Sequence, residues 1–184
     1  MRYTEVDRRL WEGRMDLILS DRHIDMPATD NGRITFVDLS KLKIKNCVGC
    51  YGCWTKTPGR CVIRDDAVKV YPLIAASERV MYVSRIAYGG YDTIMKTMLE
   101  RSIPVQQAFI RLVDGETHHV QRSVTPKDAV IVVYGSTSAE EQSIFRRLVE
   151  RNAKNMCFKS HRILFVDDDA VEQTVQSEVA LWNE

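Results

Sequence analysis

Four of the chain's five cysteines fall between Asn46 and Asp66, in the stretch N-C-V-G-C-Y-G-C-W-T-K-T-P-G-R-C-V-I-R-D-D. Cys47, Cys50 and Cys53 follow one another at two-residue gaps, and Cys61 arrives after Thr57-Pro58-Gly59, a tripeptide that turns a chain back on itself. Three thiols and a returning fourth can converge on one point. Gathered thiolates repel and oxidise, so a reducing compartment tolerates them mainly where they hold a soft cation or cluster or do redox chemistry. A three-cysteine run at two-residue gaps is the local spacing of cubane iron–sulfur sites, whose fourth ligand comes from further along. Structural zinc more often uses two well-separated knuckles. At this point an iron–sulfur cluster, zinc and metal-free thiols all stand as readings. Gly49 and Gly52 suit a cluster, because bare backbone can approach sulfur closely, and suit an ordinary glycine-rich loop equally well.

The elements that must position these thiols are read from periodicity. Arg2 to Val6 alternates weakly as a first strand, and Asp7 can cap a helix with Leu10, Trp11, Leu17 and Ile18 on its apolar side. Asp21 to Arg33 has loop composition, and Ile34 to Leu39 is a β-branched and aromatic strand leading into the cysteines. Asp65 or Asp66 opens a helix over Val68, Val70, Leu73 and Ile74. Arg79 to Ser84 and Asp128 to Tyr134 are apolar blocks typical of strands covered on both faces. Each ends in a loop, Tyr88-Gly89-Gly90-Tyr91-Asp92 and Gly135-Ser136-Thr137-Ser138, followed by a helix. Arg162 to Val166 and Asp169 to Trp182 complete the pattern as strand and helix, while Cys157 falls on the preceding helix as a small buried residue. Strands alternating with helices predict a right-handed βαβ series and a three-layer α/β sandwich. The stretch from about 103 to 127 breaks that rhythm and carries Gly115-Glu116-Thr117-His118-His119. Adjacent histidines diverge on any regular element, so a polar loop or a subunit contact is favoured over a histidine metal site.

A chain of 184 residues, 45% hydrophobic and 28% charged, is read as one globular domain spanning 1–184. A net charge of +1 leaves no electrostatic footprint for nucleic acid or a charged membrane face. The opening Met1-Arg2-Tyr3-Thr4-Glu5 lacks a signal-peptide core and no apolar run reaches membrane-span length, so a cytoplasmic location is expected, where a disulfide framework is disfavoured.

With these pieces placed, the stretch from Lys45 to about Asn155 resembles the flavodoxin-like NAD(P)H-dependent FMN reductase superfamily, in particular its iron–sulfur flavoprotein branch. The similarity rests on Cys47-Val48-Gly49-Cys50-Tyr51-Gly52-Cys53-Trp54, on Lys56 to Cys61 with Asp65-Asp66, and on the loop Ser84-Arg85-Ile86-Ala87-Tyr88-Gly89-Gly90-Tyr91 with Lys96 and Leu99-Glu100-Arg101 beyond it. The resemblance implies a five-stranded parallel sheet of order 2-1-3-4-5. It implies FMN held by Ser84, Ile86, Tyr88, Gly89, Gly90, Tyr91, Gly135, Ser136 and Thr137, and a [4Fe–4S] cluster on Cys47, Cys50, Cys53 and Cys61. It further implies NAD(P)H or a protein as electron donor, a small-molecule or protein acceptor, and a homodimer or homotetramer. Hydride and electron transfer need no general base, so no catalytic side chain is named. The family's first strand and small-hydroxyl phosphate loop would fall at Val6-Asp7-Arg8-Arg9, which has no glycine, and Arg85 and Ala87 stand where Pro and an aromatic residue are expected. The alternative reading is a non-catalytic flavodoxin-like protein that has lost its flavin and uses the cysteine loop for metal or protein binding.

Ligands of open parallel sheets lie outside the carboxyl ends of the strands at the topological switch point. The cysteine loop and the loops at Tyr88 and Gly135 are therefore expected to share one rim.

Overall fold

The computed structural model describes residues 15–26 and 32–182. In chain order these form β1 (Asp16–Ser20), β2 (Ile34–Asp38), α1 (Gly52–Thr55), α2 (Ala67–Ala76), β3 (Arg79–Ala87), β4 (Gly90–Tyr91), α3 (Thr93–Glu100), β5 (Gln106–Val113), β6 (Glu116–Gln121), β7 (Lys127–Tyr134), α4 (Ala139–Asn155), β8 (Phe158–Val166) and α5 (Val171–Trp182). Five strands make a parallel sheet in the order β2-β1-β3-β7-β8, with β4 folded back antiparallel on the end of β3. This is the flavodoxin-like order 2-1-3-4-5.

Period-two alternation sorts each central strand between two cores. Leu17 and Leu19 of β1, Val80 and Tyr82 of β3, and Ala129 and Ile131 of β7 face α2, α3 and α4, where Tyr71, Met95 and Phe145 fill the layer. Ile18, Met81, Val83, Val130 and Val132 face the other way, onto Val171, Val175, Val179 and Trp182 of α5. Leu17, Ile18 and Leu19 are all fully buried, which is why they form a strand enclosed on both faces and not the helix expected from Leu10, Trp11, Leu17 and Ile18. The expected strand at Arg2 to Val6 and the cap at Asp7 lie outside the described residues.

Local chemistry fixes several other ends. Ser138 and Glu141 close a reciprocal capping box at the start of α4: the Ser138 hydroxyl accepts from the Glu141 amide at 3.1 Å, and the Glu141 carboxylate from the Ser138 amide at 2.9 Å. Cys157 is not on this helix but just beyond it, at φ +56, the left-handed position where chains leave an α-helix. The 103–127 stretch is no polar loop. It is a two-stranded antiparallel hairpin, β5–β6, standing apart from the main sheet.

Candidate functional site

The cysteine segment is built between two tied feet. The Lys43 amide donates to Asp66 at 3.0 Å and the Lys45 amide to Asp65 at 2.8 Å. Burial would raise the Asp65 carboxyl, but the Arg101 guanidinium and the Lys45 amide outweigh it and hold the group below its ordinary range. Arg101, at the end of α3 and 1% exposed, donates to both Asp65 oxygens at 2.7 and 2.9 Å, to the Lys45 carbonyl at 2.6 Å and to Cys61 Sγ at 3.3 Å. One buried cation thus clamps both feet and touches a thiol.

Between the feet, Gly49 at φ +63 and Tyr51 at φ +53 reverse the chain twice, and Tyr51 leads into the single turn of α1. Thr57 to Arg60 is the expected turn: the Thr57 carbonyl accepts from Arg60 N–H at 2.8 Å across Pro58 and Gly59, with Gly59 at φ +83 as a type II turn requires. It returns Cys61 against α2, where the Cys61 amide donates to the Tyr71 hydroxyl at 3.3 Å. Cys47, Cys50, Cys53 and Cys61 line one small cavity with Val48, Tyr51 and Val62 at its mouth and Arg101, Ile103 and Pro104 as its wall. Burial pushes the Cys53 thiol up, and charge on Cys61, Cys47 or Cys50 would push it further. Among the described residues no three His, Cys, Asp or Glu side chains stand in metal-holding geometry. The donor set nonetheless fits a soft centre: four thiols on one apolar-mouthed cavity with a cation behind them.

The adjacent histidines part to opposite faces of β6. His118 is buried between Asn155 Oδ1 and Glu116 Oε2, both at 3.0 Å, while the His119 ring lies 4.8 Å from that of Trp54. They make no joint metal site.

The cysteine cavity is walled by the end of α3, and no residue of the Tyr88 and Gly135 loops expected beside it lines that cavity. Those two loops leave the sheet's carboxyl rim. On the rim, β1 ends at Ser20, so the first loop begins at Asp21 and the expected phosphate segment Val6-Asp7-Arg8-Arg9 lies outside the described residues. Asp21 accepts from the Arg85 amide and the Tyr134 hydroxyl, each at 2.7 Å. Its carboxyl is pushed up by burial despite these bonds. The Arg22 and Arg85 guanidinium groups both lie over the Tyr134 ring, at 5.2 and 5.1 Å, and Arg85 also reaches Asp168 at 3.3 Å.

Of the residues expected to hold flavin, Tyr88 is almost fully exposed, Ser136 is exposed, and Gly135 and Thr137 are half-buried beside Arg85 and Glu141. Ser84 is fully buried, Ile86 is in the core, and Tyr91 packs edge-on to Phe145 at 4.9 Å, inside the molecule. Gly89 and Gly90 lie against Ile144 and Leu148 of α4. The sequence reading gave Asp21, Arg22 and Tyr134 no place in the site, and it counted Arg101 only within the Leu99-Glu100-Arg101 motif of the resemblance, without a role. Taking Leu17-Ile18-Leu19 as a buried strand would have moved the first rim loop to Asp21-Arg22.

No helix among the described residues is long and apolar enough to cross a membrane. No protein-family model matches the chain. A 68-residue stretch, 37% of the chain, is 37% identical to an iron–sulfur flavoprotein of Archaeoglobus fulgidus and covers 30% of that protein. A 98-residue stretch, 53% of the chain, is 24% identical to an iron–sulfur flavoprotein of Methanocaldococcus jannaschii and covers 49% of it. These matches thus span less than half the length of either relative. Among solved structures, an FMN-dependent NADH-azoreductase from Bacillus anthracis in complex with FMN aligns at a TM-score of 0.57 and 9% identity, over 93% of this chain and 98% of that one. An NAD(P)H:quinone oxidoreductase from Methanothermobacter marburgensis aligns at 0.57 and 11% identity, again over 93% and 98%. The chain has the flavodoxin-like fold and carries within it a stretch similar to iron–sulfur flavoproteins.

Proposed function

We propose that this chain is a redox flavoprotein of the NAD(P)H-dependent FMN reductase type, with FMN at the sheet rim and a [4Fe–4S] cluster on Cys47, Cys50, Cys53 and Cys61. The observation that carries the reading is the convergence of four thiols on one cavity, braced by Arg101, in a chain of flavodoxin-like fold. When bound, FMN exchanges two electrons with a reduced nicotinamide and single electrons with a cluster, and the cluster carries one electron at a time. The chain's own residues supply binding. Among the described residues, Arg22 and Arg85 are rim cations available to a phosphate, together with the Ser136-Thr137 loop. Tyr88 offers an exposed ring, whereas Ser84, Ile86 and Tyr91 support the loop from within. At the cysteines, Arg101 offsets thiolate charge and holds Cys61 toward the cavity.

The electron donor is a reduced nicotinamide or a protein, and the acceptor is the cluster, a small molecule or a protein. One observation favours the second reading, a flavin-free protein that uses the cysteine cavity for metal or partner binding. Arg85 spans the rim, its amide on Asp21 and its side chain on Tyr134 and Asp168. The absorbance spectrum of anaerobically purified protein, with iron and acid-labile sulfide, separates the two. Flavin bands with iron are expected, and a colourless protein that takes up neither FMN nor iron on reconstitution rejects the first reading. Titration with FMN against riboflavin is expected to favour FMN; equal affinities would remove the phosphate role of Arg22 and Arg85.

A further inference from the structure

The β5–β6 hairpin is tied to α4 through β6. On β6, His118 bonds Asn155, and Glu116 pairs with Arg151 at 2.9 Å and Lys154 at 3.2 Å, all on the last turns of α4. The strand β5 lies outside it, with Phe109 71%, Ile110 64% and Leu112 77% exposed. No described element pairs with its outer edge, which presents free backbone donors and acceptors beside three large apolar side chains. Soluble proteins protect such edges with prolines, lysines or several charges. This strand has no proline and one charge, Arg111, and its one irregularity is a register shift between Gln106 and Ile110.

The exposed face does not end at the hairpin. Ile110 stands opposite His119, whose ring stacks on Trp54, and Trp54 in turn meets Tyr51 at 5.4 Å. An apolar ribbon thus runs from β5 to the mouth of the cysteine cavity, where Tyr51 is 58% exposed. A continuous patch of this kind marks an interaction surface.

We propose that β5 pairs antiparallel with the β5 of a second copy of this chain, about a two-fold axis through Ile110, completing a four-stranded sheet across the dimer. The sequence of β5 suits itself as partner. In this register Arg111 of each copy lies opposite the other copy's Phe109, giving two cation–aromatic contacts on one face, and the two Arg111 side chains never meet. Two-fold symmetry uses each contact twice, so a strand of eight residues supplies a doubled ladder and seals both free edges at once. The inference is independent of whether flavin or cluster binds.

Sedimentation velocity on the purified full chain, in reductant and over a range of concentrations, tests it. The wild-type chain is expected at twice its own mass, and Ile110→Lys and Leu112→Lys, both at exposed positions, each at the single-chain mass with unchanged circular dichroism and melting. Leu181→Lys, at an exposed apolar residue on α5, is expected to keep the doubled mass. A wild-type chain at single mass throughout, leaving the edge to another protein or to residues 1–14, overturns the proposal. So does a doubled mass that survives both β5 variants.

Discussion

Arg101 and Asp65 form a two-pronged ion pair at 2.7 and 2.9 Å, with the Arg101 side chain 1% and the Asp65 side chain 9% exposed. A guanidinium fork matched to a carboxylate is the strongest geometry such a pair takes, and here the same fork also reaches a cysteine sulfur.

Replacing Arg101 by Met leaves a shielded carboxylate without its cation, so a stability loss of about 3 kcal/mol is expected in urea unfolding. Because the Asp65 carboxyl is held below its ordinary value of 3.8, its contribution is complete above that pH and is lost as pH falls below it. The wild-type advantage over Arg101→Met should therefore shrink below about pH 4. An equal difference at pH 7 and pH 3 would contradict this account.

Lys127 is fully buried at the start of β7, its amine bonded to the Thr125 carbonyl, and burial lowers its pKa to about 8. The folded state releases this proton more easily than the unfolded chain. Stability should therefore rise as pH climbs from about 8 toward the ordinary 10.5. Lys127→Met is expected to abolish that rise and to gain about 1–2 kcal/mol at pH 7, since it removes a buried charge while keeping the stem's packing. A melting series across pH 7 to 10.5 on both proteins decides it.

Each of Cys47→Ser, Cys50→Ser, Cys53→Ser and Cys61→Ser should lower iron and sulfide content after anaerobic reconstitution, because a cubane cluster wants a thiolate at every corner. Cys157→Ser, past the end of α4, should leave both unchanged. Unequal, small stability losses with unaltered metal content would instead assign the thiols to packing.

Gly89 turns the β3–β4 connection at φ +72, and an added methyl there would sit 2.8 Å from Ile144 Cγ2. Gly89→Ala should cost about 1–3 kcal/mol, combining left-handed strain with a clash against α4. The comparison is Gly49→Ala, at φ +63 with open space around it, which should cost only about 1 kcal/mol by the same thermal-melting measurement.

What the sequence made legible was local. The apolar blocks of β3 and β7, the loop after each, the helix opened at Asp66 and the Thr57–Arg60 turn all announce themselves within a few residues. The βαβ series followed from them, while the strand order came from the family resemblance. Three features did not announce themselves. In β1 only Leu17 to Leu19 are apolar, and their spacing from Leu10 and Trp11 imitates a helical face. In β5 both faces are exposed, so no alternation separates an inside from an outside. The Arg101 clamp joins residues 36 to 56 positions apart, a distance over which side-chain spacing carries no signal. The same non-locality brings Arg101, 40 positions beyond Cys61, to the wall of the cysteine cavity.

The cysteine segment leaves and re-enters the body at one point, since Lys43 and Lys45 are bonded directly to Asp66 and Asp65. Closing a longer loop between fixed feet is cheap, on the order of 0.6 kcal/mol for each doubling of length. The segment can therefore lengthen, shrink or trade its thiols over evolutionary time while the sheet beneath stays as it is. Those two aspartates and the arginine beneath them act as a socket, and descendants of one ancestral body could differ by what is plugged into it.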